Sequence, residues 1–231
     1  MSLDEELLSM VVHELRTPLT VLKGYLQLAR RRLRAPGAAV DLQDVAAMLK
    51  AADQNADQVA RLVADLLDVT LMSSGKFSLD VAPCALGGLV QEVVRELSQL
   101  FPQRAISLRP CGPVRVLADA LRVKQVVVNY LTNAIKYATA EAPIQVGVEQ
   151  EERQVRVSVR DGGPGLSQAD QERIWDRFYR FTAAKGCQNG TCGGLGLGLY
   201  ICRIIIEAHR GQVGVASAPG EGSTFWFTLP L

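Results

Sequence analysis

Two heptad seams, laid end to end over the first third of the chain, limit the possible folds more than any other feature. Leu8, Val12, Leu15, Leu19, Leu22, Leu26, Ala29 and Leu33 are spaced alternately four and three residues apart. Leu42, Val45, Leu49, Ala52, Ala56, Val59, Val63, Leu66 and Thr70 alternate three and four. An apolar period of about 3.5 belongs to helices that pack along a narrow stripe. Between the seams lies Arg34-Ala-Pro-Gly-Ala-Ala, whose Pro36-Gly37 pair breaks a helix. The spacing therefore predicts a helical hairpin from residue 3 to about residue 74. One such hairpin buries too little apolar surface to stand alone. Two hairpins packed as a four-helix bundle would bury it, which predicts a homodimer through this region.

At Ser73-Ser-Gly-Lys76 the helical pattern stops. Strands are expected at 77–81, 105–109, 144–148, 155–159, 212–216 and 224–229, and helices at 86–100, 120–137 and 197–208. Strands grouped late in the chain suggest a mixed α/β sandwich and not a doubly wound parallel sheet. The expected fold class is thus α+β, with one domain over residues 1–74 and a second over 75–231. A length of 231 residues suits two small domains. A net charge of +1 with both signs interspersed argues against a nucleic-acid-binding stripe or a basic membrane patch. The most apolar stretch, 195–206, is broken by Arg203, so no membrane segment is expected in this chain. Asp4, Glu5 and Glu6 do not fit a signal peptide. Five cysteines and only two histidines, His13 and His209, match neither a disulfide framework nor a zinc site. Reduced thiols point to the cytoplasm.

His13 lies off the first seam, about 100° around the helix from Val12, and should face solvent. Pro18 follows within an otherwise continuous helical pattern. It supplies no N–H to the Glu14 carbonyl and costs about 3 kcal/mol in a helix interior. A tolerated kink is the bland reading; a bend used by the neighbouring histidine is the functional one. An exposed neutral imidazole has one nitrogen free to attack while the other holds a proton. Glu14 is placed to hold or accept that proton, and the Thr17 hydroxyl, one turn on, to position a water.

A second group of polar residues interrupts the α/β half. Arg122, Asn129, Asn133 and Lys136 share one face of a helix whose other face holds Val127, Tyr130, Leu131 and Ala134. Asparagine prefers caps and turns, so two of them in mid-helix suggest a site rather than a solvated face. An amide oxygen can ligate Mg²⁺, which takes few protein ligands. Asp161-Gly-Gly-Pro-Gly165 follows a strand, where the Asp161 carboxylate could accept a hydrogen bond from an adenine amino group and Gly163 and Gly165 let backbone approach the ring. Gly193-Gly194-Leu195-Gly196-Leu197-Gly198-Leu199 opens an apolar helix, and free N–H groups at a helix start suit phosphate. No Gly-Lys-Ser/Thr ends it, so it is not a Walker A loop. Between the two glycine motifs, Arg180 and Lys185 are cationic candidates for a γ-phosphate on a loop of lid length.

Taken in order, these segments resemble the sensor histidine kinases of two-component systems. His13-Glu-Leu-Arg-Thr-Pro-Leu19 resembles their H-box and Asn129-Tyr-Leu-Thr-Asn-Ala-Ile-Lys-Tyr137 their N-box. Asp161–Gly165 resembles the G1 box, Ile174-Trp-Asp-Arg-Phe178 the F-box and Gly194–Gly198 the G2 box. The resemblance implies a dimerisation and histidine phosphotransfer domain followed by a Bergerat-type ATP-binding domain. It implies that Asn133 coordinates Mg²⁺, Lys136 meets phosphate, Asp161 binds the adenine amine, Tyr137 lines the pocket and Phe178 anchors the lid. It further implies transfer from His13 to an aspartate of a response-regulator receiver domain, with Thr17 supporting dephosphorylation of that partner. A membrane tether elsewhere in a longer protein is compatible with it. Cys187 and Cys192 depart from the family's lid pattern, leaving redox sensitivity there open beside inert thiols. A gyrase-like ATPase would explain Asn133, Asp161 and Gly194–Gly198, but not His13–Pro18, and Asn129 offers it no acidic base. A non-enzymatic dimeric module with a decayed site is the third class.

Overall fold

The computed structural model describes residues 3–34, 41–181 and 194–231, with side chains from residue 11 onward. The chain divides into two compact units, one built on the helices up to Leu71 and one, α/β in character, that holds most of the residues from Met72 onward.

The helical unit consists of α1 (Leu3–Arg34) and α2 (Leu42–Ser73). The Pro36-Gly37 turn expected between them lies outside the described residues. Only part of the apolar seam predicted on each helix faces the hairpin, joined there by Val11 and Pro18 of α1 and Leu62 and Val69 of α2 from outside it. Val11, Leu15, Pro18, Leu22 and Ala29 of α1, with Val45, Ala52, Val59, Leu62, Leu66 and Val69 of α2, are buried or half-buried within the hairpin. Val12, Leu19, Leu26 and Leu33, each seven residues apart, are exposed, and so are Leu42, Leu49, Ala56 and Val63. Among the described residues this second column stays open to solvent. Gly75, at φ +67°, ends α2, and its N–H bonds the Met72 carbonyl at 3.2 Å.

Asp65 on α2 carries a carboxyl raised to about 6, first by burial and then by the neighbouring Asp68 charge, with Arg61 opposing. An acid whose folded value lies above its unfolded one adds stability that is full in acid and lost as pH rises through 6. Asp65→Asn is therefore expected to stabilise the helical unit at pH 8 by ~1–2 kcal/mol, allowing for partial exposure, and to change little at pH 4. Thermal unfolding followed by helical circular dichroism at the two pH values checks this.

The α/β unit contains β1 (Ala82–Ala85), α3 (Leu86–Leu100), β2 (Ile106–Leu108), β3 (Arg115–Ala118), α4 (Ala120–Tyr137), β4 (Ile144–Gln150), β5 (Gln154–Asp161), α5 (Gln168–Arg173), α6 (Gly198–Ala208), β6 (Val213–Ala218) and β7 (Gly222–Pro230). Five strands form a mixed sheet in the order β2-β4-β5-β7-β6. Only β2 and β4 pair parallel; the other neighbours are antiparallel. Helices α3, α4 and α6 pack together, each also contacting strands of this sheet. Alternation in β5 buries Val155, Val157 and Val159, while β7 buries Phe227 and Leu229. These meet Val123, Val127, Tyr130, Leu131 and Ala134 of α4 and Ile201 and Ile205 of α6, all nearly inaccessible to solvent. Each large side chain buried in this way contributes about 1.5–3 kcal/mol. The Tyr130 ring packs 5.7 Å from Phe225 and 6.1 Å from Phe227.

Three features differ from the sequence expectation. Residues 77–81 are not a strand, because the Asp80 N–H goes to the Asp119 carboxylate (3.0 Å) instead of a neighbouring strand. The strand lies just beyond, as β1, and pairs antiparallel with β3, a four-residue segment whose brevity hid it. Helix α5 has only six residues, although Ser167 caps it by accepting from Asp170 N.

Asp119 is the knot of this region. Its carboxylate caps α4 through Leu121 N and Arg122 N, each at 3.1 Å. Its own N–H donates to His209 Nε2 at 2.9 Å, and His209 Nδ1 lies 2.8 Å from the Ile205 carbonyl. The start of α4 is thereby tied to the end of α6.

Candidate functional site

The candidate residues fall into both units. In the helical unit His13 is exposed, as its offset from the seam predicts, and Glu14 is half-buried. Thr17 donates its hydroxyl to the His13 carbonyl at 3.2 Å, which occupies its proton and leaves its oxygen as an acceptor. Pro18 is buried inside an α1 that continues to Arg34. The Glu14 carbonyl consequently has no helical N–H from that position.

In the α/β unit the separate motifs converge. Asn133 Nδ2 donates to Asn129 Oδ1 at 3.0 Å, across one turn of α4. That bond leaves the Asn133 oxygen available as an acceptor or ligand. Gly198, the first residue of α6, lies directly against Asn129; a Cβ there would meet Asn129 Nδ2 at 2.3 Å. The helix that follows the glycine loop thus needs glycine to seat on the asparagine pair. Lys136, exposed, lies with its ammonium 4.9 Å from the Tyr137 ring centre, and Phe181 meets that ring edge-on at 6.4 Å.

Asp161 ends β5 as a buried carboxylate. Its Oδ1 accepts from Gly163 N at 2.8 Å. Burial raises its carboxyl above the ordinary value, partly offset by the backbone bonds from Gly163 and Ser223. Gly163 lies against the Tyr137 carbonyl, where a Cβ would come within 3.1 Å. The end of α4 and the Asp161 turn are therefore in contact. Gly165 has φ +68°, and a Cβ there would lie 1.9 Å from the Ala218 carbonyl oxygen.

Phe178 has φ +66°, rare for a side chain of its size, and donates its N–H to the Gly196 carbonyl at 3.1 Å. Gly196, at φ +67°, could take no Cβ without meeting Tyr179 O at 2.5 Å. This pairing joins the two ends of the 179–196 segment. Leu195 and Leu197 are buried anchors, Leu199 is half-buried, and a Cβ added at Gly194 would meet nothing within 4 Å. Arg180 is exposed. Lys185, Cys187 and Cys192 lie outside the described residues. The remaining cysteines, Cys84, Cys111 and Cys202, are in no disulfide.

Sequence reasoning missed the β6–β7 turn that braces the Asp161 loop. Ser217 Oγ accepts from Leu166 N at 2.8 Å and lies 2.9 Å from Ser223 Oγ. Gly220 N donates to the Pro164 carbonyl at 2.7 Å. Ser223 is also the register partner of Asp161. The Gly220-Glu-Gly222 turn was the available signal.

Among the described residues no group of three or more His, Cys, Asp or Glu side chains could hold a metal ion. Asn133, whose Nδ2 rather than its oxygen is engaged by Asn129, fits an ion that arrives with its own phosphate ligands and needs few from the protein. No described helix is long and apolar enough to cross a membrane.

Comparison with known proteins agrees with this geometry. The family model for the His Kinase A (phospho-acceptor) domain matches residues 4–75. The model for the histidine kinase-, DNA gyrase B- and HSP90-like ATPase matches residues 118–231. The adaptive-response sensory kinase SasA of Synechocystis sp. is 33% identical over 98% of this chain and 59% of its own length. The chain thus spans about three-fifths of that curated relative. Full-length ShkA, solved in complex with AMPPNP, superimposes with a TM-score of 0.64 at 28% identity, over 98% of this chain and 45% of that one. The histidine kinase ThkA, solved with the response regulator TrrA, shares the fold with a TM-score of 0.64 at 24% identity, over 97% and 61%. With both family models matched in order, the chain belongs to the sensor histidine kinases of two-component systems, of which it is a catalytic portion with a phospho-acceptor domain and an ATPase domain.

Proposed function

We propose that this chain moves the γ-phosphoryl of ATP onto His13 and then to an aspartate of a response-regulator receiver domain. The observation that carries the reading is the pairing of an exposed histidine on a phospho-acceptor helix with an α/β unit in which four nucleotide motifs converge. Residues 1–74 act as the dimerisation and phosphotransfer domain and residues 75–231 as the ATP-binding domain. The exposed heptad columns of α1 and α2 support a homodimer, since a second hairpin would bury them.

Phosphoryl transfer asks a protein mainly for positioning and charge neutralisation. The free imidazole nitrogen of His13 attacks the γ-phosphorus while the bond to the β–γ bridging oxygen breaks and ADP leaves. Glu14 takes the proton from the other ring nitrogen, so the phosphorylated ring is left neutral rather than as an imidazolium. Asp161 holds the base, Lys136 the phosphates, and Phe178 with Gly196 the root of the lid. Asn133 is the residue that would hold Mg²⁺, whose contribution there is to neutralise phosphate charge. Residues 73–76, where Gly75 leaves the helix, serve as the hinge. Thr17, whose oxygen remains an acceptor, supports dephosphorylation of the partner by orienting a water that releases its phosphoryl group as inorganic phosphate.

The chain labelled from γ-phosphoryl-labelled ATP, freed of nucleotide and mixed with a receiver domain, should lose its label to that domain within minutes. Steady ATP hydrolysis with no labelled chain at any time would instead favour a gyrase-like ATPase.

A further inference from the structure

The geometry points to Arg104, a residue outside every nucleotide motif, as the positioning residue that holds the end of α4 in its nucleotide-binding place. The inference rests on the ATP reading of the α/β unit. Arg104 follows α3 in a tight turn, Phe101-Pro-Gln-Arg104, closed by Arg104 N donating to the Phe101 carbonyl at 2.9 Å. Proline at the second position suits such a turn because its φ is already set. From there the guanidinium reaches across to α4. Its Nη1 donates to the Thr139 carbonyl at 2.7 Å, and its Nη2 donates to Ile135 O at 2.6 Å and Ala138 O at 2.9 Å. Its Nε is buried with no partner. The side chain thus commits both terminal nitrogens to one target.

That target is the C-terminal turn of α4 and the residues just beyond it. A helix end leaves carbonyls unsatisfied and carries partial negative charge. Here the same turn carries Lys136 and Tyr137, and its continuation forms the wall of the Asp161 loop. The Tyr137 carbonyl abuts Gly163, and Ala142 abuts Gly162, where a Cβ would come within 2.6 Å of Ala142 Cβ. The guanidinium therefore does two things. It places a positive charge at the negative helix end next to the proposed polyphosphate site. It also fixes the backbone from residue 135 to 139, and through it the spacing between Lys136, Tyr137 and the Asp161 turn. Lysine at this position has a single ammonium and no planar fork, so it cannot hold all three carbonyls in the same geometry.

The test is titration of wild type, Arg104→Lys and Arg104→Ala chains with a fluorescent ATP analogue and Mg²⁺, well below each variant's Tm. It is paired with the KM and kcat of phosphoryl incorporation. Arg104→Ala should weaken nucleotide affinity roughly tenfold and Arg104→Lys by less, with the loss falling on KM rather than kcat. If Arg104→Ala does not fold, the lysine variant still carries the test, with an expected loss of about two- to fivefold. Wild-type affinity in both variants despite a lowered Tm would show a purely structural role and overturn the inference alone. A wild-type chain that binds no nucleotide would overturn the ATP reading and this inference with it.

Discussion

Asp161→Asn is expected to weaken ATP binding by about a hundredfold or more, because the change reverses one hydrogen-bonding edge while keeping its shape. Asp161 is buried, and one of its oxygens is already taken by Gly163 N at 2.8 Å. An asparagine that keeps its oxygen on Gly163 turns its NH₂ toward the base. There an adenine amino group, itself a donor, would meet a second donor, leaving two buried donors unpaired at about 1–3 kcal/mol each. A guanine base presents a carbonyl at the same edge and should lose far less, so the ATP-to-GTP preference should collapse or invert. Calorimetric titration with both nucleotides checks this, and an unchanged preference would remove Asp161 from the base site. The pH dependence has a defined sign. Burial makes the free Asp161 bind a proton more readily than an exposed aspartate does. The base requires the ionised form, so nucleotide binding releases that proton. Affinity should thus rise with pH through the raised value in the wild type and stay flat in Asp161→Asn.

Much of this arrangement is legible in the residues, and the exceptions have physical causes. The limits of α3 and α4 follow from apolar periodicity, and both appear where that periodicity places them. The offset of His13 from the seam correctly gives its exposure. The double column on α1 and α2 is harder to see, since a 4-3 alternation written as one seam merges positions that face the hairpin partner with positions that face outward. Short elements are illegible for a different reason. Four residues of β3 or six of α5 carry too little pattern, and tertiary contacts decide them. Residues 77–81 have the composition of a strand, yet one side-chain acceptor, Asp119, takes the backbone donor that a ladder would need. The brace of Ser217, Ser223 and Gly220 behind the Asp161 loop is distant in sequence from what it supports. Only the β5–β7 register brings Ser223 opposite Asp161. Arg104 is the extreme case, a lone arginine in a turn whose partners lie more than thirty residues away.

The largest effect belongs to His13, because a nucleophile has no partial substitute. Glutamine is similar in length and polar, so an exposed helix position should tolerate it with little loss of stability. It offers no imidazole nitrogen to phosphorylate. Nucleotide binding, which depends on the α/β unit, should remain at wild-type strength, separating loss of the acceptor from loss of ATP. The most direct test of the account is incubation of wild-type and His13→Gln chains with Mg²⁺ and ATP labelled in its γ-phosphoryl, followed by acid and alkali treatment of the labelled protein. The account predicts wild-type label that is lost in acid and retained in alkali, and no label above background in His13→Gln. Label of undiminished amount in His13→Gln, or label that survives acid in the wild type, would contradict it.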